Sequence, residues 1–136
     1  VRAELYEPTS RRPSGAIVLF PIWGGPGLTL ERYVAAHLSS RGWTTLILPL
    51  PYQHGRQPAG VRSGRMTVSD DLARNERVFR QAATEAGAAR RWLRARGYRS
   101  DRIAIMGISL GGHVATYVRS VDPAFARFGV MCFAEH

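Results

Sequence analysis

Gly107, Ile108, Ser109, Leu110 and Gly111 fit the pattern G-x-S-x-G, a spacing that can make a serine hydroxyl into a nucleophile. The serine of such a pattern sits on a sharp strand-to-helix turn, which lifts its hydroxyl above the sheet for attack on an acyl carbon. Side chains at the two glycines would collide with neighbouring backbone. The N–H that follows, that of Leu110, then lies at a helix N-terminus, where developing negative charge is stabilised. Glycine and serine are common, so the pattern alone is weak. Its setting is stronger: the apolar run Ile103-Ala104-Ile105-Met106 precedes it and the helix-compatible run Gly112-His113-Val114-Ala115 follows. The competing reading is an ordinary glycine-serine turn between a strand and a helix.

The other residues that could do chemistry are few. The lone Cys132 excludes an internal disulfide and a cysteine metal cluster, and it reads as a buried strand residue. This cysteine usage fits a reducing cytoplasm, which is the expected location. No spacing calls for a metal or an organic cofactor. Of the four histidines, His37 falls on a helix face, His54 in a loop and His113 on a packing position four residues past Ser109; His136 is the last residue.

The elements that must position Ser109 follow from hydrophobic patterning. Residues 1–8 alternate and read as an edge strand, and Gly15–Phe20 is a continuous apolar run, the mark of a strand covered on both faces. Pro21-Ile22-Trp23-Gly24-Gly25-Pro26-Gly27 is a loop. Thr29 is expected to cap a helix whose inward face is Tyr33, Val34, His37 and Leu38, stopped by Gly42. Residues 44–50 read as a third strand and residues 52–66 as a loop bordering the cleft, with His54 and Arg56 within reach of a substrate. Ser69 is expected to start a long helix with Asp70 and Asp71 in its first turn. Its buried stripe is Leu72, Phe79, Ala82, Ala83, Ala86, Ala89 and Leu93, and Gly97 ends it. The strand before Ser109, a helix ended by Asp122-Pro123, and a last strand over 127–133 complete one α/β domain over residues 1–136. Strands and helices alternate, which implies a three-layer α/β/α sandwich with a mostly parallel sheet. Ligands in such sheets sit at the carboxyl ends of the strands, where the glycine loop, the 52–66 loop and Ser109 converge.

The formal charge of +9 raises the question of nucleic acid, but all 19 basic residues are arginine and they are scattered. The densest group, Arg90, Arg91, Arg94, Arg96 and Arg99, ends the long helix, where cations complement the helix dipole. A solvated face and no nucleic-acid partner are expected. No apolar run is long enough for a bilayer, so no membrane partner is expected either.

These residues, over essentially the whole chain, resemble the α/β-hydrolase superfamily. Trp23-Gly24-Gly25-Pro26-Gly27 is similar to its H-G-G-P-G oxyanion loop, with tryptophan in place of histidine. The resemblance implies that the N–H of Gly25 is the second oxyanion donor beside that of Leu110, with Trp23 alternatively a packing residue against the first helix. Leu50-Pro51-Tyr52-Gln53-His54-Gly55-Arg56 and the arginine-rich helix before Gly107 resemble the esterase and dienelactone-hydrolase-like branch. Dienelactone hydrolases proper carry cysteine at the nucleophile position. Serine here therefore implies carboxylic-ester hydrolysis.

The superfamily orders its triad as serine, acid, histidine, with the histidine after the eighth strand. The last strand here corresponds to the sixth. The expectation is an N-terminal portion of the fold, with the base histidine beyond His136 and the acid unknown, Glu135 being a candidate. The implied partner is a small acyl substrate, with the unpaired last strand as a surface for self-association. The competing expectation is a catalytically incomplete module that binds or dimerises.

Overall fold

Every residue of Gly15–Phe20 is buried, and this hexapeptide is the central strand of the protein. The computed structural model describes residues 2–10 and 12–132. Glu135 and His136 lie outside the described residues. In chain order the elements are β1 (Glu4–Tyr6), β2 (Gly15–Phe20), α1 (Thr29–Ser40), β3 (Trp43–Ile47), α2 (Leu72–Ala95), β4 (Ile103–Ile108), α3 (Leu110–Val121) and β5 (Arg127–Met131). The strands form one sheet in the order β1-β3-β2-β4-β5. β1 runs antiparallel to β3, and the other three pairs are parallel.

Alternation along each strand divides the core into two layers. Ile17, Leu19, Ile47 and Ile108 face α1, packing on Val34 and Ala35. Ala16, Val18, Phe20, Ile103 and Ile105 face the opposite way, against Ala82, Ala86, Ala89 and Leu93 of α2 and Val114, Ala115 and Val118 of α3. The three-layer, mostly parallel sandwich expected from the sequence is the observed architecture. The chain leaves β2 for β3 on one side, then recrosses through α2 to β4 on the other. The carboxyl ends of β2 and β4 thus flank the point where strand order reverses, which is where a crevice opens in such sheets.

Several helix details differ from the sequence expectations. Leu28, not Thr29, is the N-cap residue of α1, and no side chain bonds there. The inward face is Glu31, Val34 and Ala35, whereas Tyr33 is 73% exposed and His37 is also exposed. The spacing 31-34-35-38 is the true apolar stripe, and a carboxylate at its first position conceals it. The third strand ends at Ile47, although Leu48 and Leu50 stay buried beyond it. α2 starts at Leu72, capped by Asp71, whose carboxylate accepts the Arg74 N–H at 2.9 Å. Leu72 is 80% exposed and Val78 is buried in its stead. Stepping back from Val78 by three, four and seven residues reaches Asn75, Arg74 and Asp71, so Leu72 stands off the stripe. Gly42 and Gly97 stop their helices in left-handed conformations, as expected.

The arginine-rich end of α2 is only partly a solvated face. Arg90 pairs with Asp122 at 3.4 Å and lies over the buried Phe125 ring, while Arg96 pairs with Glu7 at 2.7 Å and covers Trp92. Cys132 is exposed just past β5 rather than buried within it. The expected strand over 127–133 stops at Met131. Among the described residues no helix is long and apolar enough to cross a membrane, and no cluster of side chains could hold a metal ion.

Leu93 is fully buried between α2 and the sheet. Leu93→Ala is expected to lower stability by about 2–5 kcal/mol, read as a lower denaturation midpoint in urea.

Candidate active site

β4 ends at Ile108, and the chain turns into α3 through Ser109, which has φ 53° and ψ −117°. A non-glycine residue held in such a conformation costs about 1–3 kcal/mol and persists only where its surroundings fix it. Here the fixing contacts are backbone. The Ser109 N–H donates to the Met131 carbonyl at 2.8 Å, tying the corner to β5. The Ser109 carbonyl accepts the N–H of Gly112 at 2.8 Å, closing the first turn of α3. The side chain is left exposed.

Two glycines make this corner sterically feasible. A Cβ on Gly107 would overlap the Gly111 carbonyl, and one on Gly111 would lie 2.5 Å from the Phe20 carbonyl oxygen and 2.6 Å from that of Pro21. Phe20 is also the register partner of Gly107 across β2 and β4. Ser109, Leu110 and the start of the glycine loop are therefore held together at the strand-order reversal, as the sequence reading required.

The glycine loop runs from Pro21 to Gly27 and is anchored through Ile22 and Trp23, near its start. At its start the Ile22 N–H donates to Glu31 Oε1 at 2.8 Å. Glu31 is wholly buried, and its carboxylate reaches back from the first turn of α1. Trp23 does not pack on α1. It is 55% exposed, and its indole N–H donates to the Gly64 carbonyl at 2.8 Å, fastening the glycine loop to the loop after β3. Gly25, the other expected oxyanion donor, is buried within this loop.

The loop after β3 is ordered by its own polar contacts. Gly64 N–H donates to Tyr52 O, Thr67 Oγ1 to Pro51 O, and the His54 N–H to Ser63 Oγ. Tyr52 and His54 both have positive φ. Arg56 is not free to meet a substrate: its guanidinium is largely buried, forked onto Glu85 of α2 and bonded to the Pro49 carbonyl. An arginine in a polar loop gives no sign in the sequence of a partner 29 residues away. Asn75 similarly holds the approach to α2, bonding Ser69 through both its amide oxygen and its NH2. His113 is exposed on the outer face of α3 rather than packed, one turn beyond Ser109.

Burial holds the His54 imidazole below its ordinary pKa, against an opposing pull from the Glu31 and Glu4 charges. The unfolded chain therefore binds the proton more readily. The neutral form contributes stability above the unfolded value near 6.5, and that contribution is lost as pH falls below it. Replacing His54 with Asn is expected to flatten the fall in unfolding free energy between about pH 7 and pH 5, measured by urea titration across pH. At the corner itself, Gly107→Ala is expected to cost about 1–3 kcal/mol or more through backbone overlap, read by thermal or urea denaturation.

No curated protein matches the chain in sequence. Among solved structures it is similar to the α/β hydrolase GrgF from a Penicillium species, with 19% identity and a TM-score of 0.69 over 94% of this chain and 40% of that one. It is also similar to a soluble variant of monoglyceride lipase from Saccharomyces cerevisiae, with 16% identity and a TM-score of 0.70 over 93% and 39%. A third likeness is to acetyl xylan esterase 1 from a Thermoanaerobacterium species, with 23% identity and a TM-score of 0.58 over 93% and 41%. The chain thus spans about two fifths of the length of these proteins and shares their α/β-hydrolase fold. The family model for dienelactone hydrolases matches residues 1–130, so the chain belongs to the dienelactone hydrolase family.

Proposed function

We propose that this chain carries the nucleophile and oxyanion donors of a serine hydrolase that cleaves a carboxylic ester or a related acyl substrate. The carrying observation is the conformation of Ser109: a strained, exposed serine between β4 and α3, held by backbone hydrogen bonds from its N–H to β5 and to its carbonyl from α3. Membership of a hydrolase family and the likeness to a lipase and an esterase support the same chemistry.

In this reading Ser109 Oγ attacks the ester carbonyl carbon while a histidine takes the hydroxyl proton. The carbonyl π pair moves onto oxygen, and the N–H groups of Gly25 and Leu110 receive the resulting oxyanion. Collapse of the tetrahedral species expels the alcohol, which leaves with the proton from the histidine. Water, deprotonated by the same base, then cleaves the acyl-serine. We assign the base to none of His37, His54 and His113, which lie exposed on α1, in the loop after β3 and exposed on α3.

A fluorophosphonate probe applied to the full-length protein is expected to label Ser109, located by peptide mass spectrometry. Ser109→Ala should abolish the adduct while leaving the fold intact by circular dichroism. Equal labelling of both forms would sink the assignment.

A further inference from the structure

Beside Leu110 a groove of about 540 Å³ opens between α2 and α3. Its walls are Val68 from the loop before α2, Phe79 on α2, and Leu110, Thr116 and Tyr117 on α3. That volume lies within the roughly 300–1,000 Å³ usual for small-molecule sites. Leu110, one of its walls, is the residue that follows Ser109 and the proposed oxyanion donor.

Its chemistry is set by what is missing from its walls. The chain holds 19 arginines and 10 carboxylates, yet among the described residues none lines this groove. The cleft at Trp23 and Gly24, by contrast, carries Arg62 and Arg65. Asn75 also borders the groove, but its amide is committed to Ser69, and the Thr116 hydroxyl is committed to the Gly112 carbonyl at 2.9 Å. Phe79 and Tyr117 meet edge to face, with centroids 5.6 Å apart, and form a rigid aromatic wall. Val68 is 39% exposed, so apolar surface there is left for something to cover. His113 is the single ionisable imidazole on the rim.

We infer that this groove is the specificity site for an uncharged alkyl or aryl group of the ester processed at Ser109, an inference that rests on the reading of Ser109 given above. A charged group would find only the His113 imidazole and the Tyr117 hydroxyl to replace its hydration, whereas each buried methylene is favourable.

The test uses a pair of p-nitrophenyl phosphonates, one ethyl and one octyl, reacted with the full-length protein. The octyl probe is expected to label Ser109 at least about tenfold faster than the ethyl probe. Thr116→Phe on α3 and Val68→Phe on the facing loop each fill the groove from an exposed position. Either should bring the octyl-to-ethyl ratio close to one, with the fold checked by circular dichroism. No chain-length preference in the unmodified protein, or a preference that survives both substitutions, overturns the groove and leaves Ser109 standing. Absence of labelling by both probes overturns the reading of Ser109 and the groove with it.

Discussion

The first turn of α3 approaches the ends of β2 and β4 more closely than any side chain would permit. The backbone of Gly111 lies against the Phe20 and Pro21 carbonyls, and the backbone of Gly107 lies against Gly111. Interiors this dense are bistable rather than compliant, so the corner either closes in this one way or fails to close. Its closure fixes φ and ψ at Ser109 and aims the N-terminus of α3. It also sets the start of the glycine loop beside both. The strain at Ser109 is sustained by the Met131 carbonyl and the α3 turn, which makes β5 part of the apparatus that holds the serine.

Around this rigid centre the loops are held by a few polar contacts between segments distant in the chain. Glu31 holds Ile22, Trp23 holds Gly64, and Arg56 ties the loop after β3 to α2 through Glu85. Hydrogen bonds to charged groups are stronger than neutral ones, and their loss leaves a partner desolvated and unmatched. One Glu31 oxygen and both polar atoms of the buried Gln53 side chain have no partner among the described residues. His54 beside Gln53 has a nitrogen without a hydrogen-bond partner as well, while Ser39, Thr45 and Arg90 carry such atoms away from these loops.

Legibility in the sequence followed the range of the interactions. The central strand Gly15–Phe20, the strand Ile103–Ile108 and the turn after it were readable because apolar runs and G-x-S-x-G are local patterns with local causes. The inward face of α1 was misread because Glu31 occupies a position that periodicity reserves for apolar side chains, and only the Ile22 N–H explains it. Leu72 was misread because it is apolar in composition but off the stripe in angle. Arg56 looked like a cleft residue since its partner lies on another element.

By itself the sequence determined the alternation of strands and helices, the parallel sheet and the tight turn that carries Ser109, because these depend on residue spacing within a few positions. Tertiary structure decided which residues surround that serine. The strand order brings β2 beside β4, and with it the glycine loop beside α3. It also decided that one flank of the site is lined by arginine and the other by apolar side chains. Contacts between segments distant in the chain are set by packing complementarity, for which a linear pattern carries no signal.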